Sequence, residues 1–530
     1  MRHHPLPRSS GCFPGLPSAI RHRVAMTRGL TACWLCTLVV GMASAAEPVS
    51  IAERVLALKA LAITDGTISL VEHLDAPTLA VGKGNPLANL PPRTVVKIAL
   101  HPAQGSNINV EIWLPDPQDW DGRFIGLGNG GAAGHINPST LAGPLSLGRV
   151  AATTDMGTSP NQDSGVGNQE VWKDFGYRAT HLTTVVAKQV LTAYYGKPAQ
   201  HSYFVGGSTG GQQSLQEAQR YPDDYDGIVA NIPAHCRTPL HAYFLWNEQI
   251  LHQCPFTESQ QRSIIKAGND VMAGREIAQT AGKLVSDPRP VAGDIAAVIA
   301  AARGLDPTLN DAQAQALEKL FAGPKHAITG ERIFCGIPFG ATFDIAHGNL
   351  YLFKWVFGAG KDLMTLDFGK DIDTYTAALG PYLNADNPDL DRFRKHDGRM
   401  LMISGSADSC VPYHASLDYF ERVAERLGSL DDARSFLRLY IIPGMSHGPG
   451  PGINRLPNML DLVIAWCEKG TVPEMIKAQR VVDGKTELDL QLYPYPTKTG
   501  WTSDGGFKSV DGPRGGVDRV AARFLPTAKE

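Results

Sequence analysis

Ser202-Tyr203-Phe204-Val205-Gly206-Gly207-Ser208-Thr209-Gly210-Gly211 is the stretch that decides the fold. Tyr203 to Val205 have the composition of a short buried strand, and Gly211 to Arg220 (GQQSLQEAQR) read as a helix. The Gly-x-Ser-x-Gly turn between them reads as a nucleophile elbow, a sharp strand-to-helix turn that lifts a serine hydroxyl above a sheet. Gly206 and Gly210 remove Cβ atoms where strand and helix crowd the serine. A strained backbone at Ser208 is tolerable only with neighbours that small.

Outward from the elbow, strand-like runs alternate with helix-like ones, the pattern of a mainly parallel sheet covered on both faces. Val110 to Leu114, Phe124 to Leu127, Val150 to Thr154 and Tyr203 to Val205 are expected strands, and Arg178 to Tyr195 is an expected helix ended by Gly196. After Gly227-Ile228-Val229-Ala230 the alternation breaks into helical segments with Pro/Gly-rich joints, such as Asp311 to Phe321, and it resumes at Met400 to Ser404 and Phe436 to Ile442. The expected architecture is an α/β-hydrolase fold, with residues 46–235 and 396–530 forming the core and residues 236–395 an inserted, mostly helical lid domain.

Two more strands end in loops that carry chemistry. Met400 to Ser404 leads to Asp408, and Phe436 to Ile442 leads to Pro443-Gly444-Met445-Ser446-His447. The order Ser208, Asp408, His447 is the chain order of hydrolases with this elbow. His447 would take the Ser208 proton and later return it to a leaving group, while Asp408 would hold the imidazole tautomer. The rival histidine, His414, starts a helix-like run (HASLDYFERVAERL) and is poorly placed to reach Ser208. Oxyanion donors are expected at the backbone of Thr209, the residue after the nucleophile, and at Gly130 or Gly131 in Gly126-Leu127-Gly128-Asn129-Gly130-Gly131. That loop lacks the Lys-Ser/Thr ending of a phosphate-binding loop.

With 530 residues, 43% hydrophobic content and a net charge of −3, the chain has no electrostatic footprint for nucleic acid. From Met26, Arg28 precedes an apolar run, Leu30 to Val40, and Ala43-Ser44-Ala45-Ala46 offers a small-residue cleavage site. Residues 1–45 therefore read as an upstream extension and a signal peptide, and the mature chain as exported, periplasmic or extracellular, with no membrane span after cleavage. Cys236, Cys254, Cys335, Cys410 and Cys467 remain, an odd number, with Cys236 and Cys254 the local pair to test first. No cysteine or histidine spacing suits a metal, and no cofactor is expected. Of the insertion's aromatics, Tyr243, Phe244, Trp246, Phe353, Trp355 and Phe357 are expected to pack more than to line a substrate pocket. His235 and Cys236 are expected to be structural.

The chain resembles the tannase/feruloyl esterase family. The resemblance rests on Asp174-Phe175-Gly176-Tyr177-Arg178-Ala179, Gly207-Ser208-Thr209-Gly210-Gly211-Gln212, Glu217-Ala218-Gln219-Arg220-Tyr221-Pro222, Asp224-Tyr225-Asp226-Gly227-Ile228 and Ile232-Pro233-Ala234. It extends to Gly128-Asn129-Gly130-Gly131, Thr154-Asp155-Met156-Gly157, the Asp408 and His447 loops and Tyr493-Pro494-Tyr495-Pro496. It implies a secreted serine esterase with a helical lid that cleaves small aromatic acid esters of galloyl, feruloyl or terephthaloyl type through an acyl-enzyme. The alternatives are acyl transfer or hydrolysis of non-aromatic esters by the same triad, or a non-catalytic ligand-binding relative. The family pattern has cysteines before the serine and after the histidine, joined in a disulfide; here Gly207 and Gly448 stand there. The stretch Arg275 to Pro288 has too few oxygen ligands for the calcium that the family's lid often carries. Thr158 replaces a usual histidine, an exchange expected to alter the pocket wall.

Overall fold

Strand β6 (His201–Gly207) lies near the middle of a nine-stranded sheet, flanked by β4 (Arg123–Leu127) and β7 (Gly227–Asn231), both parallel to it. The remaining strands are β1 (Gly66–Leu74), β2 (Arg93–Leu100), β3 (Ile108–Pro115), β5 (Val150–Thr154), β8 (Arg399–Gly405) and β9 (Leu437–Ile442). Their order is β1-β2-β3-β5-β4-β6-β7-β8-β9; β1, β2, β3 and β5 pair antiparallel, and every pairing from β5 to β9 is parallel. These features belong to a computed structural model that describes residues 49–81, 85–275, 289–343, 349–447, 452–501, 507–512 and 519–525. The expected signal peptide, the Gly448 position and all but the first residue of the stretch Arg275 to Pro288 lie outside the described residues.

The period-2 alternation of the central strands fills both faces. Phe204, Ile228, Met400, Met402 and Leu439 pack under helices Ala179–Tyr195 and His414–Leu427. Tyr203, Val229, Leu401, Ile403 and Tyr440 pack under helix Met459–Lys469 and the hairpin Ile476–Val482/Lys485–Leu492. Burial on both faces explains why these runs read as continuous apolar stretches. Helix Ala179–Tyr195 ends where Gly196 adopts φ 74°, as its sequence suggests. It begins one residue later than expected, because Asp174–Arg178 form a single π-type turn.

Between β7 and β8 the chain leaves the sheet for a run of helices that includes Arg237–Gln253, Glu258–Arg275, Asp294–Leu305, Asp311–Ala322, Tyr351–Phe357 and Lys370–Leu383. Their apolar faces form a second core with Phe175 and Met156, and this core reaches Val411 and Ala415 beside the Asp408 loop. Tyr243, Phe244, Phe353 and Trp355 are buried in it, and Trp246 and Phe357 are partly buried against it. These aromatics pack as expected. No helix among the described residues is long and apolar enough to cross a membrane.

Candidate active site

Ser208 stands where β6 ends and helix Thr209–Arg220 begins, with φ 58° and ψ −116°. A positive φ on a non-glycine residue is strained, and the surroundings hold it on both sides. Ser208 N–H donates to the Asn231 carbonyl (3.0 Å), while its own carbonyl accepts from Ala234 N–H (3.0 Å) and Gln212 N–H (3.2 Å). The sequence-level argument about Gly206 has a direct geometric basis: a Cβ there would lie 2.1 Å from the Gly210 carbonyl oxygen.

The parallel sheet brings the ends of β6, β8 and β9 to one edge. There His447 Nδ1 pairs with Asp408 Oδ2 at 2.9 Å. The Asp408 side chain is fully buried, and its other oxygen accepts from Cys410 N–H and Val411 N–H, both at 2.8 Å. These bonds fix the carboxylate before the imidazole arrives. The two loops are also tied to each other: Ala407 N–H donates to the Met445 carbonyl (3.0 Å) and Gly444 N–H to Ser406 Oγ (2.8 Å). The Ser208 hydroxyl has no hydrogen-bond partner among the described residues, so the structure joins Asp408 to His447 but does not form the serine–imidazole bond. In unliganded sites such bonds are often long and tighten with substrate. His414 begins helix His414–Leu427, makes no bond to Asp408, and has both ring nitrogens unpartnered; burial pushes it down to about 3.

The glycine-rich loop after β4 lies against the elbow backbone. Gly210 N–H donates to the Asn129 carbonyl (2.7 Å), and Asn129 is anchored by Gln213 Oε1 (2.8 Å) and the Thr154 carbonyl (2.6 Å). Thr209 is the first residue of its helix, where an N–H has no intrahelical acceptor. The N–H groups of Gly130 and Gly131 donate to no described residue, and a Cβ on either glycine would meet nothing within 4 Å. None of the three expected donors has an acceptor among the described residues; Thr209 is fully buried and the two glycines are exposed. Thr158 is fully buried and donates to the Ala132 carbonyl (2.6 Å) of this loop.

Cys236 and Cys254 are both free thiols, so the pairing chosen for a first test is not made. Burial and neighbouring Asp408 push the Cys410 thiol up to about 12, which removes it as a competing nucleophile. His235 is buried and donates from Nδ1 to the Pro233 carbonyl (2.9 Å); burial holds it at about 4, a structural neutral imidazole. His181, Glu217 and Asp224 bring ligand-type atoms within 4.8 Å of one another. Asp224 already pairs with His181 Nδ1 (2.7 Å), its carbonyl accepts from Lys188, and burial, with the Asp224 charge nearby, pushes the Glu217 carboxyl well up.

An apolar cavity of about 490 Å³ lies beside the elbow, walled by Leu127, Val205, Val229, Ile403 and Leu456 and by Asn231, which holds the Ser208 N–H. A larger one, about 840 Å³, is formed by helices Asp294–Leu305 and Asp311–Ala322 with His414 at its wall, and none of Ser208, Asp408 or His447 lines either cavity. Sequence reasoning missed two residues that brace the site. Tyr243 donates to the Ser409 carbonyl (2.8 Å) beside Asp408, and Arg237 lies behind Thr209 and Gly131. Neither has a local motif; only the position of Arg237 just past Ile232-Pro233-Ala234 hinted at proximity.

A mainly parallel sheet with a serine elbow on a central strand defines an α/β-hydrolase. The family model for tannase and feruloyl esterase matches residues 94–358 and 358–513. A probable feruloyl esterase of Arthroderma benhamiae is 30% identical over 74% of this chain and 80% of that one. An uncharacterized esterase of Xanthomonas campestris pv. campestris is 28% identical over 89% of this chain and 94% of its own length. Two solved structures share the fold: feruloyl esterase B from Aspergillus oryzae (TM-score 0.73, 22% identity, 85% of this chain and 98% of that chain) and tannin acyl hydrolase from Aspergillus niger (0.72, 19%, 90% and 97%). The chain belongs to the tannase and feruloyl esterase family and is a carboxylic ester hydrolase.

Proposed function

We propose that this protein is an exported serine esterase that hydrolyses esters of aromatic carboxylic acids, with Ser208, His447 and Asp408 as its triad. The observation that carries the assignment is the buried Asp408 carboxylate holding His447 Nδ1 at 2.9 Å, on the sheet edge where Ser208 sits strained at φ 58°. Ser208 Oγ adds to the ester carbonyl carbon as His447 Nε2 takes its proton, and the carbonyl π pair moves to oxygen. Thr209 N–H and the N–H of Gly130 or Gly131 receive that oxyanion. Collapse expels the alcohol, which leaves with the proton from His447, and the acyl group stays on Ser208. Water then repeats the two steps and releases the acid. The helices of 236–395 act as a lid, and the apolar cavity beside Asn231 is large enough for one aromatic ring.

The aromatic-acid class is drawn from the relatives, a probable feruloyl esterase and a tannin acyl hydrolase. A fluorophosphonate probe tests the nucleophile: folded wild type is expected to label and Ser208→Ala to neither label nor turn over ester. A panel of methyl gallate, methyl ferulate, chlorogenate, mono(2-hydroxyethyl) terephthalate and short aliphatic p-nitrophenyl esters tests the substrate class. Equal turnover across the panel would refute the aromatic preference.

A further inference from the structure

Arg237 opens helix Arg237–Gln253 and is 3% exposed. Its Nη1 donates to Thr209 Oγ1 (3.0 Å), and its Nη2 to the Tyr351 hydroxyl (2.6 Å) and the Gly131 carbonyl (3.4 Å). Thr209 Oγ1 in turn donates to the same Gly131 carbonyl at 2.6 Å. One guanidinium thus touches both segments that carry the oxyanion donors, and anchors them to the first residue of helix Tyr351–Phe357 in the insertion.

The charge is unusual in having no carboxylate partner among the described residues. Its neighbours are a carbonyl, two hydroxyls, the Phe175 ring with centroid 5.3 Å away, and His241, which burial and Arg237 itself hold neutral. A buried cation without a counter-charge is costly, and the first turn of a helix, where the backbone dipole is positive, makes it more so. The three acceptors it serves are all neutral, so the hydrogen bonds account for the donors and leave the positive charge without a partner.

We infer that Arg237 is the positioning residue of the oxyanion hole: it clamps the Gly130-Gly131 turn to Thr209, and its unpaired charge is met when negative charge develops on the substrate oxygen between them. It acts through the Thr209 hydroxyl and the Gly131 carbonyl without touching substrate. The inference rests on the proposed triad and adds the part of the chain that sets the oxyanion geometry.

The test compares wild type, Arg237→Met, Arg237→Lys and Thr209→Val for steady-state kinetics, fluorophosphonate labelling, and inhibition by an aryl boronic acid, whose adduct with Ser208 carries the tetrahedral negative charge. Arg237→Met is expected to lower kcat about 100- to 1000-fold, to leave KM within about threefold, and to weaken boronate binding in step with kcat, while the free aromatic acid binds as before. Arg237→Lys, which keeps the charge with fewer donors, should recover about tenfold of the loss. Thr209→Val keeps the backbone N–H and removes the shared hydroxyl; it should lower kcat and boronate affinity together, and it decides the matter if Arg237→Met does not fold. A folded Arg237→Met with wild-type kcat, a loss confined to KM, or a Thr209→Val that changes neither kcat nor boronate affinity would overturn the inference. If wild type itself escapes the fluorophosphonate, the triad reading fails and takes this inference with it; if wild type labels and the Arg237 variants label equally fast, only the inference fails.

Discussion

Replacing Gly206 by alanine probes the elbow more sharply than removing the nucleophile does. The new Cβ would lie 2.1 Å from the Gly210 oxygen, 2.3 Å from its carbonyl carbon and 2.7 Å from its Cα, where ordinary contact begins near 3.4 Å. All three atoms are backbone in the first turn of helix Thr209–Arg220, and Gly210 N–H is itself held by the Asn129 carbonyl at 2.7 Å. Relief requires β6 and the helix start to part by roughly an ångström, carrying Ser208 with them. Forcing extra atoms into a packed site costs about 1–3 kcal/mol, and a displacement of that size at a reacting group costs on the order of 100-fold in rate. Gly207→Ala is the control: its Cβ meets only the Asn231 oxygen, nitrogen and Cβ at 3.6–3.8 Å, so stability should stay within about 0.5 kcal/mol of wild type. Urea denaturation gives the first quantity, and kcat normalised by active-site titration the second. If Gly206→Ala matches Gly207→Ala in both, the backbone-on-backbone account of the elbow is wrong.

Asp408→Asn leaves the loop bonds from Cys410 and Val411 available but presents the wrong group to His447 Nδ1, so kcat should fall about 10⁴-fold with little change in KM; retention of a tenth of wild-type kcat would sink the assignment. Tyr243→Phe strips the Ser409 carbonyl of its buried donor and should cost about 1 kcal/mol in chemical denaturation, with a several-fold drop in kcat as the Asp408 loop loosens; an unchanged kcat would mean the helix only packs there. His235 is held at about 4 when folded against an ordinary 6.5, so the unfolded chain binds more protons in that window. The stability it confers is full above pH 6.5 and is lost as pH falls through 6.5 toward 4, about 2 kcal/mol of it by pH 5. His235→Gln should therefore lose less Tm than wild type between pH 7 and pH 5, and parallel slopes would contradict the sign argument. Dithiothreitol should leave kcat and Tm unchanged, since Cys236, Cys254, Cys410 and Cys467 are unbridged; a marked loss would reveal a supporting disulfide.

The proposed triad residues could be picked out because each lies within a few residues of an apolar strand buried on both faces, so local composition and chain order carried the information. Strands β1 and β2 could not, for different reasons. β2 (RTVVKIAL) buries Arg93 and Thr94 completely, and Arg93 and Lys97 interrupt its apolar run, while β1 is an edge strand with only Val71 buried. The bond of Thr158 to the Ala132 carbonyl crosses 26 positions of sequence and had no local signal. Beyond its place just past Ile232-Pro233-Ala234, nothing marked Arg237: its partners lie 28, 106 and 114 positions away, and one of them is a backbone carbonyl that no residue type announces.

With Gly207 before Ser208 no thiol stands next to the nucleophile, which raises the question of how the serine and histidine loops keep their register. Arg237 does not answer that, because it joins the serine loop to the oxyanion loop and never reaches β9. The connection runs instead through the strands between. Ser208 is bonded to the β7 loop at Asn231 and Ala234, Ile232 N–H of that loop donates to the Ile403 carbonyl of β8 (2.7 Å), and the β8 loop is bonded to the β9 loop through Ser406 to Ile442 (3.0 Å) and Ala407 to Met445 (3.0 Å). Each neutral bond contributes about 1 kcal/mol, whereas a disulfide is a single bond whose effect falls largely on the unfolded chain. A relay of this kind depends on the sheet edge staying intact, so the distance between Ser208 and His447 is set by the same backbone bonds that pair β7, β8 and β9. It follows that the site's geometry in this chain is bound to the cohesion of three neighbouring strands, and that substitutions in the β7 and β8 loops, which carry no triad proton, bear on catalysis more directly here than where a covalent bond spans the gap.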